Sequence, residues 1–382
     1  MRTGQLRNTF APAMLAALAL MVASRAGAEP YLMVREGAKC SDCHTNLTGG
    51  GMRTAFAQIH AKDILHDLDL LPIPAGVKGF NGQLTSYARI GGDLRVRDTM
   101  VFEDRPDTHG RVPGNKAFRR HVASNDLDLN QFRFYGQVDL YPDILTLYAD
   151  EDFTSGANTR EAMALVHNLT PWNLYFKGGR FYPAYGLRAQ DDQAFIRDRT
   201  GYTFANPDEG VEIGLMPGPF FFATSITNGA PGDKDVAVTA NGYAVFQDVP
   251  LVRSVIAGLG YARQSDKRYL VGPFLGFNLW KLTLLGELDK IEDRSVASTA
   301  RRDDYATYLE TDLLLLEWLN LRGTFEFIKV ANDRDQTRYT IGAEPFINRF
   351  LQPRLQYRIN NGPGTEPQLN QPELWAELHV FF

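Results

Sequence analysis

The chemistry-bearing residues of this chain are concentrated in one short string, Cys40-Ser41-Asp42-Cys43-His44, which contains both of its cysteines. CxxCH is the attachment signature of a c-type haem. Two thiols three positions apart bond to the two vinyl groups of one porphyrin, and the histidine that follows reaches the iron through its imidazole. A structural zinc site asks for more ligands than two thiols and one adjacent histidine, and the chain has no second cysteine pair. A thioredoxin-like redox pair needs a βαβ setting, and a structural disulfide is rarely this tight. One covalent haem c on Cys40 and Cys43, with His44 as axial iron ligand, is therefore the expected cofactor.

The elements that must hold this motif begin with an export signal. Arg2 and Arg7 precede the apolar run Ala11 to Ala23, and Ala26-Gly27-Ala28 supplies an A-x-A-like cleavage site. Residues 1–28 thus read as a signal peptide cut before Glu29. The run is too short to anchor the chain comfortably in a bilayer. Haem attachment in bacteria follows export, so the two signals agree.

Residues 29–78 form a small, mainly α-helical haem segment and connector. Thr48-Gly49-Gly50-Gly51 lets backbone approach a porphyrin or simply turns the chain. Met52, Phe56, His60, Ile64 and Leu68 then fall at steps of four, one stripe of a helix. His60 is the expected distal iron ligand ahead of Met52. It stands about 12 Å further along a helix, which gives the chain room to pass the ring edge. His66 shares another face with Lys62 and Asp63. Pro72 and Pro74 mark a stiff connector. A segment this small cannot cover a haem alone, so the rest of the chain must supply part of the cover.

Residues 79–382 carry the two-residue period of strands. Phe132, Phe134, Val138 and Leu140 share one face, with Gln131, Arg133, Gln137 and Asp139 on the other. The same alternation runs through Leu282–Asp289 and Leu321–Phe327. Sixteen strand-like segments are separated by tight turns near Pro142, Pro171, Pro217, Val249, Trp280, Leu319 and Asn348. The longer connections are 98–126, 153–159, 183–207, 229–234, 291–303, 331–336 and 361–370. Short turns on one side and long loops on the other describe a 16-stranded antiparallel transmembrane β-barrel of the bacterial outer membrane, with both mature termini periplasmic. Trp172, Trp280 and Trp318 fall at tight turns, where an interfacial aromatic girdle belongs. The terminal Phe382, with Val380, Leu378 and Ala376 behind it, resembles a barrel-assembly signal. A closed sheet also removes both edges.

The predicted lumen face carries Arg133, Asp139, Glu212, Glu287, Arg322 and Glu326, mixed in sign, and marks no particular solute. His109 and His121, among Glu103, Asp104 and Asp107, could coordinate a metal ion at the surface, but two histidines twelve residues apart define no site and a solvated charged loop is the expected reading. Segment 183–207 is expected either to fold into the lumen as a constriction, the preferred reading, or to form an ordinary outer loop on the cell-surface side. A net charge of −5 argues against a nucleic-acid partner.

The stretch Pro30-Tyr31-Leu32-Met33-Val34-Arg35-Glu36-Gly37-Ala38-Lys39-Cys40-Ser41-Asp42-Cys43-His44 resembles the start of the fused outer-membrane cytochrome–porins of iron-oxidising bacteria. An early Pro, a Gly three residues before the first haem cysteine and an Arg between them carry the likeness, with the Arg displaced by one residue. The resemblance implies a monohaem barrel that passes electrons between an extracellular donor or acceptor, such as Fe(II), and a periplasmic carrier such as a soluble c-type cytochrome. Such transfer would be of the iron:cytochrome c oxidoreductase type. The alternative from another class is a solute-diffusion porin whose haem is structural or sensory.

Overall fold

The structure, a computed structural model, describes residues 29–57, 80–106, 118–189, 191, 193–229, 236–264, 267–294, 302–330, 335–348, 350–362 and 367–382. Two short helices come first, α1 (Pro30–Glu36) and α2 (Cys40–Cys43). Sixteen strands follow: β1 (Ala88–Pro106), β2 (Phe118–Tyr141), β3 (Leu145–Asp152), β4 (Asn158–Val166), β5 (Tyr175–Phe181), β6 (Asp208–Leu215), β7 (Phe220–Thr227) and β8 (Ala237–Val249), then β9 (Val252–Gln264), β10 (Arg268–Leu279), β11 (Leu282–Asp293), β12 (Arg302–Leu316), β13 (Leu319–Lys329), β14 (Gln336–Pro345), β15 (Leu351–Asn361) and β16 (Glu373–Phe381). Helix α3 (Phe195–Thr200) lies between β5 and β6.

Each strand pairs antiparallel with its sequence neighbours, and β16 pairs with β1 to close the barrel, from Asp93↔Phe381 to Val101↔Glu373. Phe382 completes the seam: its N–H donates to the Gly92 carbonyl at 2.9 Å and its own carbonyl accepts from Gly92 at 3.1 Å. Closure matters because hydrocarbon offers no partner for an unpaired backbone N–H or C=O.

Side-chain burial shows which face is which. On β2, Phe134 and Val138 are exposed whereas Arg133 and Gln137 are buried; on β7, Phe220, Phe222 and Ile226 point out while Ser225 and Thr227 point in. Apolar side chains outward and polar side chains inward is the reverse of a soluble sheet and the arrangement of a lipid-facing barrel. Trp172 and Trp280 stand exposed at the β4–β5 and β10–β11 turns, as an interfacial girdle requires.

Two segments occupy the lumen. α1 packs on the inner faces of β9, β10 and β11, with Tyr31 and Val34 buried. Gly37 ends it in the left-handed region at φ 62°, where a Cβ would lie 2.5 Å from Gln247 Cγ. The Gln247 amide donates to the carbonyls of Glu36 and Gly37 at 3.1 and 3.0 Å. At the start of the segment, Glu29 pairs with Arg354 of β15 at 2.6 Å, both buried. The second occupant is the connection after β5. Leu187 N–H donates to Glu287 at 2.8 Å, Tyr185 O–H to Asp289 at 2.6 Å and Phe195 N–H to Glu326 at 2.6 Å, while Asp191 pairs with Arg358. The chain therefore crosses from β5 to the opposite wall, and the inward constriction expected for 183–207 is present.

One expectation fails in part. Much of 98–126, read as a loop, is strand: β1 runs to Pro106 and β2 starts at Phe118. Pairing with β16 ends at Val101 and pairing with β3 starts at Arg133, so the two strands continue past their neighbours as a two-stranded ribbon.

Candidate functional site

The CxxCH string forms α2, a single turn. Residues three apart lie on one side of a helix, so Cys40 and Cys43 face the same way. Asp42 accepts from the Lys39 backbone N–H at 2.8 Å and fixes the start of the turn. His44 leaves it in extended conformation, φ −121° and ψ 145°. The chain then folds back on itself: Thr45 N–H donates to Met52 O at 2.9 Å, Thr54 N–H to Cys43 O at 3.0 Å, and His44 pairs antiparallel with Arg53. Gly49, Gly50 and Gly51 make the reversal, all at positive φ. A Cβ on Gly51 would lie 2.1 Å from the Tyr148 hydroxyl, and one on Gly50 2.7 Å from the Phe204 ring. Only glycine satisfies both the dihedral and the space.

The barrel wall clamps this hairpin. Thr45 donates to Gln137 of β2 at 2.9 Å and the Asn46 amide to Glu161 of β4 at 2.6 Å. Lys177 of β5 donates to Asn46 at 3.0 Å while pairing with Glu212 at 2.8 Å. Arg188 of the inward segment donates to the Gly49, Tyr182 and Pro183 carbonyls. Tyr148 accepts from Met52 N–H at 3.0 Å.

Cys40, Cys43 and His44 all line one cavity of about 510 Å³ inside the barrel, the size range of cofactor sites. The motif hairpin and α1 form one wall; Tyr135, Tyr243 and Phe274 of the strands and Phe204 of the inward segment contribute to the other. Tyr243 accepts from the Cys40 N–H at 3.3 Å, and its ring stacks on Phe221.

The electrostatics suit a prosthetic group held by these residues. Cys40 and Cys43 are free thiols, not joined to each other. Burial pushes both up, Cys43 to about 12. Burial, then the neighbouring Arg53, lowers His44 to about 4, so its imidazole is neutral at physiological pH with a lone pair for a metal. His44 Nδ1 is buried without a hydrogen-bond partner. Two unlinked thiols on one turn, a neutral imidazole beside them and an internal cavity in front of all three fit a haem joined through Cys40 and Cys43 with His44 on iron. Among the described residues no group of three or more His, Cys, Asp or Glu could hold a metal ion by itself. His109 and Asp107 of the charged connection lie outside the described residues.

The distal candidates separate. His60 and His66 lie outside the described residues, as do Ile64, Leu68 and most of the predicted helix. Met52 departs from expectation. It sits in the hairpin, ahead of the helical turn at 55–57, and is fully buried against Tyr135, Tyr148, Met163 and Phe181, away from the cavity lining. Its apolar side chain finds a closer partner in the wall. Met33, missed in the sequence, lines the cavity with its sulfur 3.4 Å from Cys40 Sγ. Arg53 and Arg188 were missed too; the triple glycine that folds Arg53 back beside His44 was the available signal.

No protein-family model matches the chain, and no curated protein matches it in sequence. Solved structures match the fold. Pseudomonas putida OprB at high pH superposes with a TM-score of 0.58 at 9% identity, covering 78% of this chain and 94% of that one. Vibrio cholerae OmpT, described as outer-membrane expressed, gives 0.53 at 12% identity, covering 78% and 99%. An anion-selective porin from Comamonas acidovorans gives 0.52 at 12% identity, covering 77% and 99%. The chain has the fold of a sixteen-stranded porin-like outer-membrane barrel.

Proposed function

We propose that this barrel is a monohaem electron-transfer protein of the bacterial outer membrane, with haem c on Cys40 and Cys43 and His44 as axial ligand. One observation carries the reading: the CxxCH turn and its histidine face an internal cavity closed on the other side by barrel wall and inward segment. When bound, the haem supplies a one-electron iron couple whose potential depends on burial and surrounding charge. The chain's own residues set those conditions. Gln137, Glu161 and Lys177 hold the hairpin, the strands keep lipid away, and Phe204 with the inward segment narrows the lumen beside the cavity. An even strand number puts both termini on one side, here the periplasm, where a soluble c-type cytochrome could dock. The opposite end would meet an external donor or acceptor such as Fe(II).

The second reading is a solute channel with a structural or sensory haem, and the likeness to porins favours it. Two measurements on the purified full-length protein decide. Expected are a mass increase of one haem with reversible reduction in a spectroelectrochemical cell, and low ion conductance in planar bilayers. An unmodified mass from a host with haem-attachment machinery would overturn the haem reading. A loaded protein with ordinary porin conductance, its haem unreduced by Fe(II) or any other external reagent, would leave the channel reading standing.

A further inference from the structure

Arg53 is buried on the cavity wall, and its Nη1 has no hydrogen-bond partner among the described residues. Its guanidinium lies 5.0 Å over the Phe381 ring, a contact that provides no hydrogen-bond acceptor. Other arginines of the cavity wall are engaged: Arg95 with Asp93 at 3.3 Å, Arg133 with Asp152 at 3.5 Å, and Arg188 with three carbonyls. Asp93, the acid that most favours the charge on Arg53, is held by Arg95 and by His379 at 3.1 Å. A buried cation lacking an acid of its own is costly, and an anion brought by a ligand would offset that cost.

The backbone places it firmly. Arg53 pairs antiparallel with His44, and facing residues of such a pair project on the same side. Arg89 of β1 donates to the Arg53 carbonyl at 3.0 Å and ties that position to the wall. The guanidinium is thus a fixed donor fork on the same side as the motif's histidine, shaped for two oxygens of one carboxylate.

We propose that Arg53 is the carboxylate anchor of this cavity and, resting on the haem reading above, that it binds a propionate of the haem. Pairing neutralises a negative charge near the iron and keeps the ferrous state accessible. Removing the arginine leaves that charge uncompensated, which favours the ferric state and lowers the midpoint potential.

The test uses full-length wild type, Arg53→Gln and Arg53→Lys, made in a host with haem c maturation. Intact mass is read first: a wild-type chain without added haem removes the reading on which the proposal rests. With haem present, Arg53→Gln is expected to lower the midpoint potential and shift the propionate bending modes in resonance Raman spectra. Arg53→Lys, which keeps the charge but not the planar fork, should restore most of the potential with the modes still altered. A loaded Arg53→Gln protein with wild-type potential and wild-type modes overturns the assignment while leaving the haem reading intact. Should Arg53→Gln fail to accumulate, Arg53→Lys decides alone: unchanged modes overturn the proposal and altered modes support it.

Discussion

At the scale of single residues, the site depends on burial as much as on chemistry. Three consecutive positive-φ glycines turn the chain so tightly that Arg53 returns opposite His44. Burial keeps the imidazole neutral and the thiols protonated. The Cys43 value, raised from 9.0 to about 12, has a testable consequence in protein refolded without haem. A thiol raised by folding contributes stability that is full below its unfolded value and lost as pH climbs from there through the folded one. Alkylation by iodoacetamide at pH 8 should therefore be roughly a hundredfold or more slower in the folded chain than in urea, since only the thiolate reacts. Stability to urea should fall as pH rises above about 9. Equal alkylation rates in the two states would place the thiols outside the buried cavity.

Among the elements, the inward segment after β5 has the most consequence for passage through the lumen. It is fastened to buried carboxylates on the far wall, Asp289, Glu287 and Glu326, through Tyr185 O–H and two backbone N–H groups. Tyr185→Phe leaves Asp289 without that donor, a cost of about 1–3 kcal/mol for a buried acceptor. Replacing residues 185–204 by a short Gly-Ser link removes the crossing altogether. Both changes should raise single-channel conductance in planar bilayers, the replacement more. Unchanged conductance in the replacement would mean that the N-terminal segment alone blocks the lumen.

For the whole molecule, orientation is the property most open to experiment. With tight turns on the periplasmic side, protease added to intact cells should cut between Pro106 and Phe118 or between Asp293 and Arg302. Segment 183–207 should be spared, because it is bonded inside the barrel. Cleavage near Pro142 or Pro217 in intact cells would reverse the orientation.

Local physics made part of this molecule readable in its residues. The lipid outside and the polar lumen inside impose a strict two-residue alternation, so sixteen strands, their turns and the inward charges Arg133, Glu212, Glu287, Arg322 and Glu326 could be named from the chain. The spacing of Cys40, Cys43 and His44 pointed to haem attachment by local logic too, and the fold brings all three to one cavity. The β1–β2 ribbon escaped detection because, past its neighbouring strands, it faces water on both sides. Asp104, His121 and Asp126 then break the alternation that marks a strand. Met52 was misplaced because helical spacing continued on paper where the backbone forms a hairpin. The surroundings of the motif depended on barrel closure alone. Asn46 meets Glu161, Lys177 meets Asn46 and Glu29 meets Arg354, contacts between residues 115, 131 and 325 positions apart. No local pattern encodes such pairs; they exist because a closed sheet surrounds the segment on every side.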